Sequence, residues 1–121
     1  MRVISQGEAV IRGTCHFNPA SGWVGDDMLW WEIVDDETCR LVPLDGVEIT
    51  HLGNPDFGSV TPQQLMDSTY SSEPIDGSLN GVGRISLGSV IAVRSDRVYG
   101  KLRINGLSDA CLGVSWVSYF A

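Results

Sequence analysis

Ser89-Val90-Ile91-Ala92-Val93-Arg94-Ser95, then Asp96-Arg97, then Val98-Tyr99-Gly100-Lys101-Leu102-Arg103-Ile104-Asn105, reads as two strands joined by a two-residue connection. The second arm alternates Val98, Gly100, Leu102 and Ile104 with Tyr99, Lys101 and Arg103, the period-two pattern of a strand with one buried face. Strands this close in sequence pair antiparallel, because a parallel pair needs a crossover of a dozen residues or more. Asn105-Gly106 then starts a turn into Leu112–Phe120, where Leu112, Val114, Trp116 and Phe120 share one face interrupted by Ser118.

Working outward, Ala9, Ile11, Gly13, Cys15 and Phe17 alternate with more polar neighbours and predict a half-buried strand. Pro19 to Asp27 reads as a loop, Met28 to Val34 as the next strand, and Cys39–Pro43 with Val47–Leu52 as a hairpin around Leu44-Asp45-Gly46. One helix is signalled. Thr61-Pro62-Gln63-Gln64 supplies a capping Thr, Pro at the first helical position and Gln three residues after the cap, with Val60 and Leu65 as a hydrophobic staple. Before Ser68 it should stop. Gly77, Gly81, Gly83 and Gly88 make 76–88 a turn-rich segment. The expectation is a single all-β domain over 1–121, an antiparallel β-sandwich or partly open small barrel with one short helix near 62–67.

Composition agrees. The 121 residues are 43% hydrophobic and 19% charged, with 14 Gly and a single lysine, Lys101. No stretch reaches the roughly 18 apolar residues of a membrane span, and the first residues lack the apolar run of a secretion signal. A soluble, cytoplasmic protein is the default expectation. Eight basic against fifteen acidic residues give a net charge of −7, which argues against duplex nucleic acid or an anionic membrane as partner. The charge is uneven: residues 26–48 are acidic apart from Arg40, while 84–103 carry Arg84, Arg94, Arg97, Lys101 and Arg103 against Asp96. These zones are expected to neighbour each other or to face water. Cys15, Cys39 and Cys111 have none of the spacings of a zinc or redox motif, and Cys15 and Cys111 continue apolar series as small buried side chains.

Trp30-Trp31 is the pair most informative about function. Leu29, Trp31 and Ile33 make one apolar face, which sends Trp30 and Glu32 to the other. An indole beside a carboxylate suits a sugar, whose C–H face stacks on the ring while its hydroxyls donate to the acid. Trp23, Asp26 and Asp27, just upstream, complete the candidate ligand-binding set. Asp26-Asp27 and Asp35-Asp36-Glu37 offer hard oxygens for calcium but match no calcium loop, so no metal is assigned. Tyr99, Lys101 and Arg103 form an outward aromatic and basic stripe, thin for a single-stranded nucleic acid. His16 and His51 accompany no catalytic motif, so no catalytic residue and no cofactor are assigned.

Asp27-Met28-Leu29-Trp30-Trp31-Glu32, Gly88 to Ser95 with Tyr99 to Ile104, Leu52-Gly53, Asp56-Phe57 and Val114 to Tyr119 together resemble small bacterial all-β modules of about this length. The resemblance implies one intact all-β domain and carries no activity over to any residue. It departs at the Asp96-Arg97 connection, where an Asp-Gly turn is expected. The functional expectation is therefore a non-catalytic, lectin-like module for carbohydrate or another polar ligand. The alternatives are a protein-interaction or homo-oligomeric module, and then a small hydrolase built on Glu32 and an Asp.

Overall fold

The computed structural model describes residues 2–12, 16–18, 23–24, 28–35, 38–77, 84–108 and 111–121, with the side chains of 12, 16–18 and 23–24 outside that description. Along the chain run β1 (Arg2–Arg12), β2 (His16–Asn18), β3 (Trp23–Val24), β4 (Leu29–Ile33), β5 (Cys39–Pro43), β6 (Glu48–His51), a 3-10 turn (Phe57–Ser59), α1 (Pro62–Asp67), β7 (Ile75–Asp76), β8 (Val90–Ser95), β9 (Val98–Leu107) and β10 (Cys111–Phe120). Sheet I has the order β1-β10-β9-β8-β6 and sheet II the order β3-β2-β4-β5-β7, with every strand pair antiparallel. Two separate sheets make a sandwich, and the barrel alternative falls away.

Side chains from both sheets fill the space between them. Ile11, Ile49, Ile91, Val93, Leu102, Ile104, Leu112, Val114 and Trp116 of sheet I meet Leu29, Trp31, Cys39, Leu41 and Ile75 of sheet II in one buried cluster. Trp31 is fully buried in it, as its alternation with Trp30 predicts. Its ring is seated over Gly77, where a Cβ would come within 2.5 Å of the indole edge, so only glycine fits beneath it.

Sheet I carries a second layer on its other face. Val60, Leu65 and Tyr70, with Leu52 and Phe57, pack on Val90, Ala92, Tyr99, Val117 and Tyr119. The helix of this layer spans the expected residues because its capping box forms: the Gln64 N–H donates to Thr61 Oγ1, and Thr61 N–H donates to the Gln64 side chain. Tyr70 donates its hydroxyl to the Leu65 carbonyl at 2.7 Å, which ties the chain leaving the helix back to it. Burial pushes the Tyr70 phenol pKa well above its ordinary range and raises that of Tyr119.

Several sequence expectations change. The basic stripe is roofed over at Lys101 alone, which is buried and donates to the Phe57 and Val60 carbonyls at 2.6 and 3.0 Å beneath the Phe57 ring, while Arg103 is exposed as expected. Leu44-Asp45-Gly46 is a turn, with Gly46 at φ 80°, but it joins strands of different sheets, since β5 pairs with β4 and β7 whereas β6 pairs with β8. Turn chemistry fixes a reversal and leaves the choice of partner to packing. Likewise the alternation over 9–17 is divided between β1 of sheet I and β2 of sheet II, and β1 starts at Arg2. Gly106 lies inside β9, at a bulge opposite Gly113 and Val114. Asp96 replaces the expected Asp-Gly turn by itself adopting φ 52°, which a short polar side chain tolerates. Cys111 is half-buried and Cys39 is the fully buried cysteine, while Cys15 lies outside the described residues. No helix is long and apolar enough to cross a membrane.

Candidate functional site

The two outer faces of the sandwich differ. Sheet I is covered by the 52–70 layer, whereas among the described residues nothing packs as a layer on the outer face of sheet II. Strand register says which residues share that outer face. His16 pairs with Trp30, Trp30 with Val42, Glu32 with Arg40, Arg40 with Asp76, and Asn18 with Trp23. Because paired residues lie on the same side of a sheet, positions 16, 18, 23, 30, 32, 40, 42 and 76 form one surface. The inward set is Leu29, Trp31, Cys39, Leu41 and Ile75, all buried.

Three of the five candidate ligand residues, Trp23, Trp30 and Glu32, are thus placed on one face, with β2 between the two tryptophans. Asp26 and Asp27 fall outside the described residues. Trp30 and Glu32 are half-buried, and the indole nitrogen of Trp30 is buried. Glu32 forms an ion pair with Arg40, one strand over. That guanidinium is half-exposed and stands between two acids in the row Glu32, Arg40, Asp76. The row offers both acceptors and donors at a fixed strand spacing, which suits a neutral polyhydroxyl ligand better than a charged one. Arg40 and Asp76 were not singled out in the sequence. The alternation of Arg40 with buried Leu41 is the signal that places Arg40 beside Glu32, but Asp76 could be placed only by the long-range pairing of β5 with β7.

The second polar cluster of interest is on sheet I. His51 Nδ1 accepts the Gly53 N–H at 2.9 Å, so the ring proton sits on Nε2, which donates to Ser89 Oγ at 3.1 Å. Ser89 Oγ also accepts from the Ser86 N–H at 2.9 Å and turns its own proton toward Ser86 Oγ. A histidine in this tautomer has no lone pair facing the serine and cannot take its proton. Burial, and then the nearby Arg84, hold the His51 pKa below its usual value and keep the ring neutral. The cluster therefore anchors the chain where it leaves sheet I for the outer layer.

The acidic and basic zones do meet, through the Glu48–Arg94 ion pair between β6 and β8. Arg94 also lies over the Tyr70 ring, 4.6 Å from its centroid. Among the described residues no group of three His, Cys, Asp or Glu is arranged to hold a metal. A cleft of about 330 Å³ lies between α1 and residues 52–55, lined by Leu52, Pro55, Val60, Gln64, Asp67 and Ser68, away from the Trp30 face. Trp30 does not line this cleft. No family model, curated protein or solved structure matches this chain, so the functional reading stands on these residues alone.

Proposed function

We propose that this protein is a non-catalytic, lectin-like module that binds carbohydrate on the outer face of sheet II. One observation carries the reading: of the two outer sheet faces, the one without a covering layer among the described residues is the one with a half-buried indole beside the Glu32–Arg40 ion pair. The stacking surface is Trp30, and strand register puts position 23 on the same side of sheet II. Glu32 accepts sugar hydroxyls and Arg40 donates to ring or hydroxyl oxygens. Asp26 and Asp27 are proposed at the rim from their place in the sequence.

A glycan array with labelled wild type and Trp30→Ala, each run with calcium and with chelator, tests this. The expected result is a defined set of bound glycans for the wild type, lost in Trp30→Ala while unfolding shifts little. Bound oligosaccharide should be recovered intact, and Glu32→Gln should lower affinity without changing any turnover. A blank array with folded protein moves the function to a protein partner on the same face, and cleavage of the bound glycan moves it to hydrolysis.

A further inference from the structure

At one side of the sandwich the chain crosses from sheet I to sheet II. Ser71 bridges the free edge of β6, its N–H and carbonyl exchanging bonds of 3.0 and 2.8 Å with Ile49, and four residues later Ile75 begins β7 on the other sheet. Arg84 is fixed beside β7 by its N–H, which donates to the Asp76 carbonyl at 2.7 Å. A hollow of about 110 Å³ opens where these segments come together, with Ile49, His51, Glu73, Ile75 and Arg84 among its walls. Its volume is roughly three to four times the ~30 Å³ share of one water, enough for a molecule of a handful of non-hydrogen atoms. Two opposite charges line it without meeting. Glu73 and Arg84 are both exposed, and no ion pair joins them to each other or to another described residue. Across neighbouring strands elsewhere the acid and the guanidinium do close, Glu32 on Arg40 and Glu48 on Arg94.

The backbone adds one donor and one acceptor. Leu52 donates its N–H to the Val90 carbonyl, so by the alternation of an antiparallel ladder Thr50 also faces β8, while Ile49 and His51 face the edge. Ile49 uses its pair on Ser71. The N–H and carbonyl of His51 are left on the side of the hollow, and the described residues offer them no partner. The His51 ring is engaged by Gly53 and Ser89 and takes no part. A ligand that satisfies this set carries one negative and one positive charge a few bonds apart and little else. We infer that the hollow is a binding site for a small α-amino acid in its zwitterionic form. The Arg84 guanidinium and the His51 N–H take its carboxylate, and the Glu73 carboxylate and the His51 carbonyl take its ammonium. A simple anion would be opposed by Glu73 and a simple cation by Arg84, so each singly charged ligand meets a repulsion that the zwitterion escapes. The volume limits the ligand's side chain to the size found in glycine, alanine or serine.

The test is a titration followed by the NMR shifts of the backbone amides of residues 49–51, 73 and 84, with alanine, acetate, methylammonium and phenylalanine as probes. Alanine should move these amides with a Kd of about 1 mM or tighter. Acetate and methylammonium should each bind at least about tenfold more weakly, and phenylalanine should not enter. Arg84→Gln and Glu73→Gln should each weaken alanine at least about tenfold, and Glu73→Gln should take acetate better than the wild type does. Both side chains are exposed, so circular dichroism of each variant should match the wild type, and the ligand series on the wild type needs no variant to fold. No movement of these amides with alanine up to about 10 mM overturns the inference. So does acetate or methylammonium binding as tightly as alanine, or alanine binding indifferent to either variant.

Discussion

β8 and β4 are central strands of the two sheets, and their sequences are written in different patterns. In β8, Val90, Ile91, Ala92 and Val93 are all buried in succession, whereas in β4 burial alternates, with Leu29 and Trp31 inside and Trp30 and Glu32 half-exposed. The cause is the number of covered faces. β8 lies between sheet II and the 52–70 layer, and a strand covered on both sides reads as a continuous apolar run. Among the described residues β4 has one covered face, and its polar positions are therefore informative about function. The outward residues of a strand can be interpreted only once it is known whether a second layer lies over them.

The sharpest way to break this comparison is at the adjacent tryptophans. Trp31→Ala empties a fully buried site packed against Gly77 and should cost about 3–5 kcal/mol, read as a shift in the urea midpoint. Trp30→Ala, on the half-buried face, should cost well under half as much. Equal losses would mean that sheet II is covered on both sides, and the platform would cease to exist.

Lys101 tests the other side of the comparison. It stands on β9 with Tyr99 and Arg103, and by alternation alone all three look outward. The layer above turns it into an anchor, and burial holds its pKa below the ordinary lysine range. Lys101→Met keeps the stem and leaves the Phe57 and Val60 carbonyls without their ammonium donor, which should cost about 1–3 kcal/mol. Hydrogen exchange should speed up over 52–70 while the β4–β5 pair of sheet II stays protected. Faster exchange spread evenly over both sheets would show that the layer and the sandwich unfold as one unit.

The same contrast explains what was legible in the sequence. The helix was read to the residue because its signals, Thr61, Pro62 and Gln64, act within one turn of chain. The inward residues Trp31, Leu102, Ile104, Val114 and Trp116 followed from local alternation, and all five are buried. What failed was non-local: that β5 and β6 sit in different sheets, that Lys101 has a roof, and that Asp76 comes beside Arg40. The fold class and half of the site's face could be read from periodicity, while partnership between distant strands had no local signature.

The smallest effect concerns the point where sheet I gives rise to its second layer. His51 ends β6, and its ring bonds both Gly53, the first residues of the layer, and Ser89, at the start of β8. Protonating Nδ1 would break the bond from Gly53, and the folded protein resists it: burial and Arg84 lower the folded pKa from 6.5. In the unfolded chain the ring keeps its ordinary value. As pH falls through 6.5 the unfolded state takes up a proton that the folded state refuses, so stability is lost from there down to the depressed folded pKa and is unaffected by this group above. His51→Gln retains a donor and an acceptor without a titration. Urea midpoints measured from about pH 8 to pH 5 should decline less in the variant than in the wild type, and the difference isolates this ring from His16. Parallel pH profiles would mean that the ring titrates alike in both states, and that the junction between sheet I and its outer layer is held by backbone packing rather than by His51.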